Sequence, residues 1–309
     1  MRVTVVGMGV QGTKRVAVAG DDVVATVDPV SSAARYKDVA QVPLGDYDAA
    51  LVCTPDSSKP ELLDYLLGHG KHVLVEKPMP GGVAQIGALE ALARSRGVAC
   101  YTAYNHRFEP HIARLKQVLE AGTLGRVYLA RFFYGNGTAA DVRRSEWRDR
   151  GLGVLPDLGS HLLDMAQFLF GPAPLEAPLE LWGFDRFENR SCDHVLFGAP
   201  GVPVLQMEAT LLSWRNSFQL DLYGEHGSAH IHCLCKWGPS SLTVRKRVLP
   251  SGKPTEEVLT LESPDPTWAL EYEHFKRLCA TGGTNLANDV IIARALEQLG
   301  RAARPGGEP

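Results

Sequence analysis

Gly7-Met8-Gly9-Val10-Gln11-Gly12 has G-x-G-x-x-G spacing and stands directly after the apolar run Arg2–Val6. Glycines so spaced suit a strand-to-helix turn that receives a bulky anion. Gly7 permits the tight turn, Gly9 lets main chain approach a pyrophosphate, and Gly12 lets helix and strand pack closely. The helix that follows, opening at Val10 and Gln11, offers unpaired N–H groups and the positive end of its dipole. Asp28 ends the next β-like run, 16 residues after Gly12. A carboxylate there can accept hydrogen bonds from the hydroxyls of an adenosine ribose. The same charge would face a 2′-phosphate, and Pro29-Val30-Ser31-Ser32 brings no arginine to offset it. The expected cofactor is therefore NAD, with NADP disfavoured.

Such a turn needs a strand before it and a helix behind it, and the first 120 residues repeat that pair. Short apolar runs at Arg2–Val6, Val23–Val27, Ala49–Cys53, His72–Val75 and Val98–Ala103 alternate with helix-like stretches that include Pro60–Gly70 and Val83–Arg96. Pro60 fits the first turn of the former helix. Near-continuous apolar strands separated by helices of this length indicate a parallel sheet covered on both faces. Past about Gly125 the pattern changes. Arg126–Tyr134 is β-like, Leu158–Phe170 is strongly helical, and short β runs recur from Leu179 to Leu261 with turn residues between them. That reads as a mainly antiparallel sheet. Two helices close the chain near Trp268–Ala280 and Asn288–Ala303, ahead of a tail, 305–309, expected to be loose. The expected division is 1–123 for the cofactor domain and 124–309 for a substrate-binding and oligomerisation domain.

Composition excludes several classes. Of 309 residues, 45% are hydrophobic and 22% charged, which rules out a disordered chain. A net charge of -3 supplies no positive field for nucleic acid or an anionic membrane. No apolar run approaches the roughly 18 residues that span a bilayer. Six cysteines, at 53, 100, 192, 233, 235 and 279, are too sparse for a disulfide scaffold. A soluble cytoplasmic protein with free thiols is expected.

Several further motifs carry a resemblance. Gly70–Pro78, GKHVLVEKP, resembles the Glu-Lys-Pro signature of the glucose–fructose oxidoreductase/inositol dehydrogenase (Gfo/Idh/MocA) family, with Glu76 and Lys77 in that signature. Cys53-Thr54-Pro55 is similar to the end of that family's third strand over the cofactor. Asn105-His106-Arg107-Phe108 resembles its N-x-R-F segment, and Leu124-Gly125-Arg126-Val127 its passage into the second domain. Asp157-Leu158-Gly159-Ser160-His161-Leu162-Leu163-Asp164 is similar to its D-x-G-x-H-x-x-D helix. One position departs: Lys59 stands where the family usually has histidine, and no role is carried onto it. The resemblance implies an α/β fold class. An N-terminal Rossmann doubly wound parallel sheet would be joined to a C-terminal α+β domain with a large, mostly antiparallel open sheet. It also implies cofactor contacts from Gly7, Gly9, Val10, Gln11, Gly12, Asp28, Cys53, Thr54, Pro55, Glu76, Lys77 and Asn105. The C-terminal sheet would pair copies into a homodimer or homotetramer.

Oxidising a secondary alcohol needs a base for the hydroxyl proton while hydride leaves for nicotinamide. Histidine suits that base, and a nearby cation lowers its pKa and stabilises developing alkoxide. The resemblance implies that Lys77, Asp157 and His161 form the catalytic set, with Asp157 and His161 at i and i+4 on one helix face. Asp157 would hold substrate, though it could also cap the helix. Asn105 is either a turn residue or a ligand-facing amide. The implied function is NAD-dependent hydride transfer to and from a secondary hydroxyl of a sugar, cyclitol or nucleotide-sugar. NAD-dependent glycoside hydrolysis and non-catalytic sugar sensing are the alternatives. Arg143, Arg144, Arg148 and Arg150 could hold an anionic substrate group, although Asp141, Glu146 and Asp149 are interleaved with them. His230-Ile231-His232-Cys233-Leu234-Cys235 has metal-ligand composition. On a strand, however, its histidines face one way and its cysteines the other, so no metal site is expected.

Overall fold

The computed structural model describes residues 1–146 and 148–304, and the tail at 305–309 lies outside the described residues. Packing divides the chain into two compact units: Met1–Asn105 with Thr267–Ala293, and His106–Pro266 with Arg294 onward.

In the first unit, β1 (Val3–Val6), β2 (Val23–Val27), β3 (Ala49–Val52), β4 (His72–Glu76) and β5 (Cys100–Ala103) form one parallel sheet ordered β2-β1-β3-β4-β5. Every residue of β1, β3 and β5 is buried, as expected of apolar strands covered on both faces. The connecting helices are α1 (Val10–Ala19), α2 (Lys59–Gly68) and α3 (Val83–Arg96). Leu63 and Leu66 of α2 and Ile86 and Leu89 of α3 fill the core against Val52 and Val75. Gly97 closes α3 at φ 66°, the left-handed conformation a C-terminal glycine adopts without steric cost. The chain leaves β1 for β2 on one side and reaches β3 on the other. That reversal is where open α/β sheets form a ligand crevice at their carboxyl ends.

The second unit opens with α4 (Pro110–Glu120), then β6 (Val127–Gly135), α5 (Ala139–Arg143), α6 (Ser160–Phe170) and α7 (Ala173–Glu176). Seven strands follow: β7 (Glu180–Asp185), β8 (His194–Ala199), β9 (Val204–Thr210), β10 (Ser217–Gly224), β11 (Gly227–His232), β12 (Ser240–Val248) and β13 (Gly252–Leu261). With β6 they make an eight-stranded sheet ordered β13-β12-β11-β10-β6-β9-β8-β7, antiparallel except for the parallel β6–β9 pair. The mostly antiparallel sheet expected from sequence is thus present.

The two packing units differ from a division at 123/124 in two features. Helix α4, absent from the sequence reading, packs on α6, β11 and β12 through Ile112, Leu115 and Val118, so the second unit begins before it. Pro110 at its first turn and that apolar spacing were visible signals. Glu109 caps it, its carboxylate accepting from the His111 and Ile112 main-chain N–H groups. The other feature is the return of α8 (Thr267–Thr281) and the start of α9 (Leu286–Ala302) to the first unit. Tyr272 Oη of α8 donates to Asp22 at 2.8 Å, and Thr102 Oγ1 of β5 donates to Asp289 of α9 at 2.8 Å. No helix among the described residues is long and apolar enough to cross a membrane.

Candidate active site

The first unit gathers Gly7, Asp28, Cys53, Lys77 and Asn105 just past the carboxyl ends of β1 to β5 respectively. Gly7 has φ +92°, and a Cβ there would meet the Cys53 carbonyl oxygen at 2.6 Å. A Cβ on Gly12 would strike the Gly7 carbonyl oxygen. These two glycines are therefore required by close packing of turn, helix and neighbouring strand. Gly9 differs, because a Cβ there would meet nothing within 4 Å. Space lies open above the turn at Gly9, where α1 begins without a side-chain cap or an acidic residue in its first turn. Val10 and Gln11 are exposed at that end. Thr54 Oγ1 is buried with no hydrogen-bond partner among the described residues. An open cradle, uncapped N–H groups and an unsatisfied buried hydroxyl together fit a nucleotide pyrophosphate.

Asp28 is half-buried and holds the turn as well as facing it. Its Oδ2 accepts the Met8 N–H at 2.7 Å, and its Oδ1 accepts the N–H groups of Val30 and Ser31. Hydrogen bonds from Ser31 and Met8 hold its pKa below the usual carboxylate value, against burial. It is therefore anionic at neutral pH. Asn105 is buried, and its amide donates to Thr267 Oγ1 at 2.7 Å.

The turn carrying Lys77 is clamped from both sides. Arg15 Nε donates to Glu76 Oε1 at 2.8 Å, which fixes the Glu76 side chain. Lys59, only 1% exposed, donates from Nζ to the main-chain carbonyls of Glu76 (2.6 Å) and Pro78 (3.1 Å) and to Asp56 Oδ1 (2.7 Å). Burial lowers its pKa, with the Asp56 charge opposing. The position that departs from the family pattern thus holds the main chain on either side of Lys77. Lys59→Met should leave both carbonyls unpaired, at about 1–3 kcal/mol each. The resulting drop is measurable as a lower denaturation midpoint. An unchanged midpoint would show that solvent replaces the ammonium.

In the second unit, Asp157 lies inside a π-helical turn, Leu155–Gly159, that runs directly into α6. The expected helix therefore starts earlier, and Asp157 is not its N-cap. Single π-turns of this kind recur at functional sites. Asp157 Oδ2 lies 3.5 Å from an Arg148 guanidinium nitrogen, both side chains being about a third exposed. His161 lies in the buried first turn of α6 and is 6% exposed. Its Nδ1 lies 2.8 Å from Nδ1 of His106, itself 2% exposed. Tyr134 of β6 flanks both rings, at 5.3 Å from His106 and 5.9 Å from His161. Burial pushes the Tyr134 phenol pKa up, and the charges of Asp157 and Asp265 add to it. Arg107 grips Asp164 with Nε and Nη2, pinning the His106 segment to α6 one turn beyond His161. Asp164, 1% exposed, is therefore structural.

Sequence reading passed over His106 as a motif filler, and no signal in the sequence pairs it with His161. Nor does the arginine loop stand as a bare cationic patch. Arg143 bonds Glu188 at 2.6 Å and Arg144 lies 3.5 Å from Asp141. His230 is held by Asp221 (2.7 Å) and Ser228 (2.9 Å). The strand ends at His232, and Cys233 turns at φ 65°. The neighbouring cysteines therefore leave the strand, which corrects the expectation that they alternate along it with the histidines. Among the described residues no group of three or more His, Cys, Asp or Glu could hold a metal ion.

Comparison with known proteins is consistent with this architecture. A model of the oxidoreductase family with an NAD-binding Rossmann fold matches residues 1–104, and the Gfo/Idh/MocA C-terminal domain matches 112–230. The chain belongs to the Gfo/Idh/MocA family. Trans-1,2-dihydrobenzene-1,2-diol dehydrogenase of Bos taurus is 30% identical over 213 residues, 68% of this chain and 61% of that protein. Inositol 2-dehydrogenase of Rhizobium meliloti is 26% identical over 152 residues, 49% and 42% respectively. The match thus spans less than two thirds of either relative. Among solved structures, levoglucosan dehydrogenase in complex with NADH superposes with a TM-score of 0.84 at 18% identity. It covers 98% of this chain and 96% of its own, a likeness of fold. In this Gfo/Idh/MocA member, Lys77, Asp157 and His161 occupy the elements just described.

Proposed function

We propose that this protein is an NAD-dependent dehydrogenase acting on a secondary hydroxyl of a sugar, cyclitol or nucleotide-sugar. The observation that carries the reading is a buried imidazole, His161, whose Nδ1 meets His106 and which follows Asp157 by four residues, in a chain whose glycine turn fits a pyrophosphate. NAD supplies the hydride acceptor. His161 takes the proton of the reacting hydroxyl. Lys77 orients that oxygen and lowers the pKa of the site. Asp157 holds a neighbouring hydroxyl. The dehydrogenase names borne by the relatives support this class of chemistry. The test is NADH formation against a panel of sugars, inositols, nucleotide-sugars, levoglucosan and a cyclic dihydrodiol. Free sugar released without net NADH would indicate glycoside hydrolysis instead. NAD binding without any turnover would indicate a sensor.

Cofactor choice follows from Asp28. Its anionic carboxylate would repel a 2′-phosphate and accept from ribose hydroxyls. NAD should bind more tightly than NADP, and Asp28→Ser should narrow that gap by roughly tenfold. Asp28 also anchors the Met8 N–H, so the same change should weaken NAD itself. Dissociation constants from cofactor fluorescence titration check both. Equal affinities in the wild type would refute the role given to Asp28.

A further inference from the structure

We propose that His106 is a positioning residue for His161: it accepts a hydrogen bond from His161 Nδ1–H and so sets the tautomer of the base. This rests on the reading of His161 as the base. Two imidazole nitrogens 2.8 Å apart must share one hydrogen, with a lone pair on the other side. If His106 were the donor, His161 would carry its own hydrogen on Nε2 and could not accept a proton there. If His161 is the donor, its Nε2 holds the lone pair. A base at Nε2 therefore requires His106 to accept, with its own hydrogen on Nε2. When the substrate O–H bond breaks, the proton forms a new N–H bond at His161 Nε2, and the Nδ1 hydrogen stays in place. The resulting imidazolium is a stronger donor, so the existing bond strengthens as charge develops.

Geometry supports a fixed pair. Both rings are buried, and they stand nearly perpendicular, at 83°. Tyr134 packs edge-on against His106 at 85°. The Arg107–Asp164 ion pair ties the residue after His106 to α6. The carboxylates of the π-turn and of α6, and the one that acts with Asp157 on Tyr134, each have an ion-pair partner. Asp157 faces Arg148, Asp164 faces Arg107, and Asp265 lies 3.2 Å from Lys236. Tyr134 is held neutral by burial and by the Asp157 and Asp265 charges. His106 bonds the proposed base directly, at Nδ1.

Three measurements test this. Nitrogen–proton correlation NMR of labelled histidines in the wild-type protein should find the His161 hydrogen on Nδ1 and the His106 hydrogen on Nε2. His106→Leu should lower kcat by about 10–100-fold, the loss of one charge-assisted bond, with KM for NAD unchanged. Its kcat/KM profile should also shift its acidic limb to lower pH, because the imidazolium loses its acceptor. His106→Asn, whose amide oxygen sits near the lost Nδ1, should restore kcat to within about threefold. A His161 hydrogen found on Nε2 would overturn the proposal even if His106→Leu failed to fold. So would a folded His106→Leu with wild-type kcat and pH limb. Retained activity in His161→Ala would instead overturn the base reading itself, so the two failures are separable.

Discussion

Replacing His161 with alanine is expected to lower kcat by roughly 10²–10⁴-fold while the NAD dissociation constant stays within about twofold. The reason is separation of tasks. His161 stands on α6 of the second unit, whereas the glycine turn and Asp28 are built by β1, α1 and β2 of the first. Removing the imidazole deletes proton transfer and leaves the phosphate cradle intact. The kcat/KM profile for oxidation should rise through one ionisation near neutral pH in the wild type and lose that limb in the variant. Lys77→Ala should also cost kcat, through a raised pKa at the base and lost stabilisation of alkoxide. The two losses should not add, since both residues serve one step. A His161→Ala enzyme with near wild-type kcat would end the assignment, and Lys77 would become the leading base.

Arg15→Met is expected to destabilise the protein by about 3–5 kcal/mol, the cost of breaking a buried ion pair by removing one partner. Arg15 of α1 is 1% exposed and its Nη2 lies 2.7 Å from both Glu76 and Glu271. Glu271 is fully buried. Burial opposes the Arg15 charge, but Glu271 and Glu76 outweigh it and hold the guanidinium pKa above its usual value. The guanidinium also sits 4.3 Å from the Trp268 ring centroid, so α1, the end of β4 and α8 meet on one side chain. Methionine would retain packing volume and leave a buried carboxylate without that guanidinium. Adding Glu271→Leu should recover part of the loss, because replacing both partners with apolar groups removes the uncompensated charge. Chemical denaturation of the three proteins measures this. An Arg15→Met midpoint equal to wild type would show that the triad adds nothing to stability.

What the amino-acid sequence determined by itself was local. The G-x-G-x-x-G turn was readable because steric limits at Gly7, next to Cys53, and at Gly12 leave only glycine. The run Val83–Arg96 was readable end to end because the helix propensity of its Ala, Leu, Gln, Glu and Arg residues acts over a single helix. The β runs of both sheets were legible because apolar patterning reports which face of a strand is buried. It does not report which strand lies beside it, nor which side chain fills the space opposite. His106 and His161 are 55 residues apart, and the packing of α4, just after His106, on α6 sets their rings together. Lys59 looked like a lost histidine until α2 brought its ammonium to the carbonyls of Glu76 and Pro78. Asn105 was open between a turn residue and a ligand-facing amide, and α8 returns to offer it Thr267 as an acceptor. The arginine before α6 became a partner of Asp157, and its neighbour Arg143 a partner of Glu188, 45 residues away. Hydrogen bonds and ion pairs are satisfied by whatever the fold delivers within about 3 Å. That choice is made by long-range topology, which residue type and spacing do not encode.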